Sequence, residues 1–552
     1  MTIRVAAVQF EAGQDIGANL ATCLRLVTDA ARQGAQLVVL PEFCNHLAWY
    51  TDRAQAHALA TRPGDDFLTA ISASAAEHRV YLKINVTHAY PDGRTGGTNF
   101  LFGPDGALLG SCDKQVLMGA ENDHLDPATE VGPVLDTPIG RLGMYACMEG
   151  VIPETTRGLT LRGAQVLLNS LNSFATDEAA LHIPVRAAEN RAWVIAANKV
   201  GPLLPAEHLP AMSRGLGVPE QWLHGAGESQ IVAPDGTVLA KGPRTGEAVV
   251  IADIAPERAD DKHRPDGSDI LAARRPELYG PLGDVPTGRR RPPSAPSLPV
   301  AVVRPRDPGQ AADLLGTSVT EGALLAVLAE DALGAHVGPA EVAATLAPAL
   351  RGTDGYAVAT ARSADGPVGL LIGPDGVVGE QPQLHRAGAA RDAARPGGAL
   401  RTFDLPWGRL AIVVGDDAIF PETFRLAALA DADVVAVPFT PREPWELALG
   451  LPERAAENRL NVIAAGPLGT GAAVFALSAD FTLWTTWAGP FTGRISSPLR
   501  TDIAADRSVT HAVVAPAQAA NRLVSRRTDL VDGRPWRLVQ ALPKGADPWP
   551  TP

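Results

Sequence analysis

The chain has 552 residues, more than one hydrophobic core organises, so two domains are expected. A net charge of −13 argues against nucleic acid as a partner, and no unbroken apolar stretch is long enough to span a bilayer. The four cysteines (Cys23, Cys44, Cys112 and Cys147) follow neither a disulfide framework nor a structural zinc spacing, and no secretory leader is evident, so a cytoplasmic location is expected.

In chain order, "RVAAVQF" from Arg4 and "AQLVVLPE" ending at Glu42 are short β-branched runs and predict buried strands. Between them "NLATCLRLVTDAARQG" has apolar residues at helical spacing, with Gly34 placed to end the helix. "VYLKINVTHAY", "TNFLFGPDGALLGS" and "LGMYAC" read as strands, and the "PDG" at Pro104 and again at Pro234 marks hairpin turns. "PETTRGLTLRGA" and "EAALHIPVRAAENR" read as helices, each followed by a strand. Alternating strands and helices predict an α/β fold with sheets covered by helices.

The chain then repeats itself. "DTPIGRLGMYACMEGVIPETTR" returns as "DLPWGRLAIVVGDDAIFPETFR", so that Glu154 recurs as Glu422 and Arg157 as Arg425, 268 positions on. The same offset aligns "VRAAENRAWVIAANKVG" with "ERAAENRLNVIAAGPLG". A Pro- and Arg-rich stretch, "PLGDVPTGRRRPPSAPSLP", separates the copies and reads as an exposed linker. Domains are expected at 1–280 and 299–552, with the linker over 281–298.

Several first-copy residues are chemically suggestive. Cys147 ends an apolar strand before Gly150 permits a sharp turn into a helix, where amide groups favour a thiolate or an oxyanion. Glu42 follows "LVVLP" at a strand's C-terminal end, where partial burial suits a carboxylate to act as a base. Lys114 lies just past the first hairpin, with Glu121 seven residues on. Each residue alone is as well explained by packing or by an ordinary surface charge.

Together, "LVVLPE", the lysine after the hairpin, "GRLGMYACMEGVIPETTR", "RAAENRAWVIAANKVG" and "GESQIVAPDG" resemble the nitrilase superfamily of carbon–nitrogen hydrolases. The resemblance covers nearly all of the first copy. It implies two αββα sandwich domains in tandem, packed face to face as a pseudo-dimer within one chain. It also implies Glu42 as general base, Lys114 as oxyanion stabiliser, Cys147 as nucleophile, Glu121 as support for the lysine, and the Met148 N–H as part of an oxyanion hole. Glu154, Arg157, Arg186 and Glu189 match positions that brace the fold. Neither metal nor cofactor is implied. The expected substrate is a small amide-type molecule, cleaved through a thioester to an acid and ammonia or an amine. A nitrile is the alternative, since Glu149 two places after the cysteine departs from many amidases. A non-catalytic binding or scaffold protein is the contrasting reading. His46, Glu149, Asn172, Phe174 and Trp222 are candidate pocket residues, and a further homo-oligomer is compatible with the pattern.

The second copy has lost the chemistry. Glu330 aligns with Glu42, but Leu384 aligns with Lys114 and Gly415 with Cys147. The expected role of this copy is to replace the second subunit of a dimer and to steady the loop carrying Cys147.

Overall fold

The computed structural model describes residues 1–292, 294–387, 395–478 and 493–544. The first half contains strands β1 (Ile3–Gln9), β2 (Leu37–Val39), β3 (Tyr81–Ala89), β4 (Thr95–Phe102), β5 (Leu108–Asp113), β6 (Val134–Thr137), β7 (Gly140–Ala146), β8 (Val166–Ser170), β9 (Trp193–Ala197), β10 (Gln230–Val232), β11 (Val238–Lys241) and β12 (Ala248–Ile254). They form two six-stranded sheets, ordered β12-β1-β2-β3-β4-β5 and β11-β10-β9-β8-β7-β6. At each centre three strands run parallel: β1, β2 and β3 in one sheet, β7, β8 and β9 in the other. Parallel strands are covered on both faces, which is why "LVV" and "VIAA" carry unbroken apolar runs. Both "PDG" turns close hairpins, with Gly106 and Gly236 at φ +81° and +85°.

Val5, Val39, Leu142, Met144, Leu168 and Ile195 pack between the two sheets. The helices Ile16–Arg32 and Asp66–His78 cover the outer face of the first sheet. The helices Glu154–Leu161 and Ile183–Asn190 cover the second. The layers are therefore α, β, β, α.

The second half repeats this plan. Its strands are β13 (Leu298–Val303), β14 (Leu325–Leu328), β15 (Tyr356–Ser363), β16 (Gly366–Gly373), β17 (Gly376–Pro382), β18 (Thr402–Leu405), β19 (Gly408–Ile412), β20 (Val434–Pro438), β21 (Asn461–Ala465), β22 (Ala472–Ala476), β23 (Leu499–Ile503) and β24 (Val509–Val514). The sheets run β17-β16-β15-β14-β13-β24 and β18-β19-β20-β21-β22-β23. A short hairpin follows, β25 (Leu523–Ser525) and β26 (Thr528–Asp529).

The two halves dock through equivalent helices. Arg157 pairs with Glu422 at 2.9 Å, and Arg425 pairs with Glu154 at 2.7 Å. These contacts are images of each other under the 268-residue offset, the signature of a two-fold interface made inside one chain. Arg186 reaches Glu457 at 2.6 Å, and Arg454 returns to Glu189. All eight side chains are buried. The four first-half residues expected to brace their own fold thus bridge the two halves, because charges this deep need counter-charges and the opposing helices supply them.

Chain segments also cross over. Tyr279 Oη lies 2.7 Å from His385 Nε2, and Arg274 Nε donates to Glu422 at 2.8 Å. In return, the backbone N–H of Ile495 donates to Asp177 at 2.8 Å. The Pro- and Arg-rich stretch is fastened, not loose as its composition suggested: Arg289 pairs with Asp433 at 2.5 Å and Ser294 Oγ donates to the same carboxylate at 2.6 Å. Among the described residues no helix is long and apolar enough to cross a membrane.

Candidate active site

Cys147 stands where β7 runs out into a single helical turn, Cys147–Gly150. Its φ is +48°, a left-handed conformation costly for a residue with a side chain. Two neighbours hold the corner. Asn169 on β8 accepts the Cys147 N–H at 3.1 Å, and Glu149 accepts the N–H of Ala146 at 2.7 Å and of Gln115 at 3.0 Å. Glu149 therefore ties the corner to the segment after Lys114. Burial pushes its carboxyl up to about 7, against those two N–H donors.

The charged groups converge on this corner. Lys114 Nζ lies 2.8 Å from Glu42 Oε1 and 2.7 Å from Glu121 Oε2. Burial works against the ammonium, but Glu121 and Glu42 together raise its pKa well above the usual lysine value. Glu42 is fully buried, and apart from this ion pair no hydrogen bond of ordinary geometry from the described residues reaches either of its oxygens. The Cys147 thiol is raised well above its usual range, chiefly by burial and the nearby Glu42, with Lys114 opposing.

Beside Glu121 opens a cavity of about 380 Å³. Asn172, Phe174 and Trp222 line it, together with Trp49, Met118 and Leu204. His46 and Glu149 do not: His46 is buried against Tyr50, with ring centroids 5.3 Å apart, and Glu149 is spent on backbone amides. Two lining residues, Ser525 and Arg526, come from the second half, and no local pattern in the sequence pointed to them. Asn169 was legible in principle as a polar side chain inside the apolar run "VLLNS". Among the described residues no group of three His, Cys, Asp or Glu is arranged to hold a metal ion.

The equivalent corner of the second half keeps its shape. Gly415 has φ +52°, and Asp417 accepts the N–H of Leu384 at 2.7 Å and of His385 at 2.8 Å, as Glu149 serves Gln115. Glu330 fills the space in front: a Cβ on Gly415 would lie 2.6 Å from Glu330 Oε1.

The family profile described as "Carbon-nitrogen hydrolase" matches residues 4–264. The chain is 28% identical over 263 residues to a nitrilase from Pyrococcus abyssi, covering 47% of this chain and 92% of the relative. It is 28% identical over 300 residues to human deaminated glutathione amidase, covering 50% and 84%. It is 29% identical over 269 residues to a bovine omega-amidase, covering 46% and 88%. The crystal structure of the Caenorhabditis elegans NitFhit protein superposes with a TM-score of 0.43 at 21% identity, over 50% of this chain and 65% of that one. On the profile match and the sequence relatives, residues 4–264 of the chain belong to the carbon–nitrogen hydrolase family, the nitrilase superfamily.

Proposed function

We propose that the first half hydrolyses a small carboxamide through a thioester on Cys147. The observation that carries this reading is the strained corner that presents Cys147, with Lys114 Nζ nearby at 2.8 Å from Glu42 Oε1 and 2.7 Å from Glu121 Oε2. A thiol needs a base to attack, and Glu42, whose one polar partner among the described residues is Lys114, is the carboxylate placed to accept its proton. As sulfur attacks the amide carbon, negative charge grows on the carbonyl oxygen, where the Lys114 ammonium and the Met148 N–H stabilise it. Met148 belongs to the first turn of a helix, where N–H groups lack partners within the helix. The C–N bond then breaks, and Glu42 returns the proton to the leaving nitrogen. In the second step Glu42 takes a proton from water, the resulting hydroxide attacks the thioester, and the acid leaves as the thiol is re-formed.

The relatives' names include amidases and a nitrilase, so the substrate test is a matched amide and nitrile pair with ammonia as readout. Wild type is expected to release ammonia from the amide and Cys147→Ala to release none. Glu42→Gln is expected to lose about 10²–10⁴-fold in rate, the usual contribution of a positioned base. Ammonia release by Cys147→Ala would sink the proposal. The second half, with Leu384 and Gly415 in place of lysine and cysteine and Glu330 closing the corner, is assigned no hydrolytic step of its own.

A further inference from the structure

The cavity beside Glu121 is closed on one side by the second half. Its hairpin is pinned to the loop that carries Glu121: Thr528 Oγ1 donates to the Leu117 carbonyl at 3.0 Å and accepts the Gly119 N–H at 2.9 Å. A Cβ on Gly119 would meet Ser525 Oγ at 2.8 Å, so glycine is what lets the two segments approach this closely. Arg526, in the turn of this hairpin, lines the cavity and is about half exposed, while the Glu121 side chain is mostly buried.

Charge is distributed unevenly along this space. At the buried end Glu121 lines the cavity and holds the ammonium of Lys114, which also pairs with Glu42. At the exposed end, two guanidinium groups share one carboxylate: Arg526 pairs with Asp123, and Arg527 reaches the same side chain at 3.0 Å. Arg526 makes no other polar contact among the described residues, so most of its planar donor fork is unused. The walls between the ends are largely apolar, with Trp49, Met118, Phe174 and Leu204 among them.

We propose that Arg526 is a specificity-determining residue, supplied by the second half, that binds a carboxylate at the far end of the substrate's acyl chain. The inference rests on the reading of Cys147 as the nucleophile. The preferred substrate is then an amide whose acyl group has an apolar middle and a carboxylate terminus. The guanidinium fork matches a carboxylate in two parallel hydrogen bonds. With the carboxylate held at the exposed end by Arg526, the molecule enters amide first.

Two amides of equal chain length, one ending in a carboxylate and one in a methyl group, test this with ammonia release as readout. Wild type is expected to favour the carboxylate-terminated amide at least tenfold in kcat/KM. Arg526→Ala is expected to erase that preference, mainly through KM, and Arg526→Lys to restore part of it, since the ammonium keeps the charge without the fork. No preference in wild type, or equal losses on both amides in Arg526→Ala, would overturn the proposal and leave the arginine a clasp for the hairpin. Ammonia release that survives Cys147→Ala would instead overturn the nucleophile assignment, whatever the preference.

Discussion

At the scale of single residues, the corner at Cys147 depends on groups that never touch a substrate. Asn169 holds the Cys147 N–H at 3.1 Å, and Asn169→Ala leaves that buried donor unpaired. The expected cost is about 1–3 kcal/mol of stability, with a fall in kcat as the corner relaxes. Denaturant melts and ammonia assays check both, and an unchanged kcat would show that the corner holds its shape without the asparagine. Lys83 lies deeper, donating to Ser170 Oγ and to the Tyr145 carbonyl, while Ser170 Oγ donates in turn to the Leu40 carbonyl. It thereby links the strands or strand ends that lead to Glu42 and Cys147. Burial pushes its ammonium down to about 7, against the pull of Cys112, Glu42 and Glu149. An unfolded lysine titrates near 10.4, so between pH 7 and 10 the unfolded state binds more protons and this group's contribution to stability rises with pH. Lys83→Met removes that slope. Its Tm is expected to gain on wild type most at pH 7 and least at pH 10, and a pH-independent difference would refute the titration.

At the scale of elements, the sequence showed the strands, helices and hairpins of the first half because each has a local cause. The glycines of "PDG" tolerate positive φ, and the central parallel strands need apolar residues on both faces. Glu42, Lys114 and Cys147 were legible because each ends a strand or follows one at the same edge of the sandwich. Pocket residues were harder. His46, expected in a lining role, stacks on Tyr50 and is not among the residues lining the cavity beside Glu121, an outcome that only three-dimensional packing decides. The hairpin Leu523–Asp529 was invisible as a site element, since it lies about 400 positions from the loop it holds. Thr528→Val keeps the shape and deletes the three hydrogen bonds that Oγ1 makes with Leu117, Gly119 and Asn122. A loss of about 1–3 kcal/mol and a lower kcat/KM on every amide tested are expected. Unchanged kinetics would mean that the Glu121 loop stands without the hairpin.

At the scale of the whole molecule, the internal repeat revealed two domains but not how deeply each is built into the other. Arg157 and Glu422 are both buried, so Arg157→Ala strands a carboxylate that keeps, among the described residues, only Arg274 as a cationic partner. Removing one partner of a buried pair costs about 3–5 kcal/mol, which chemical denaturation would read. A fragment of residues 1–284 would expose the helices carrying Glu154, Arg157, Arg186 and Glu189 without their opposite charges. It is expected to self-associate or precipitate, measured by light scattering. A monomeric, fully active fragment would show that the second half is dispensable.

The contact between His182 and Glu453 breaks the symmetry of this arrangement. His182 Nδ1 lies 2.9 Å from Glu453 Oε2, and despite burial Glu453 and Asp177 raise the imidazole well above its usual pKa. The counterpart of His182 is Gly450, and the counterpart of Glu453 is Val185. Two first halves laid against each other would set His182 against a valine in place of a carboxylate. The two faces are not interchangeable: each is fitted to a sister that differs from itself.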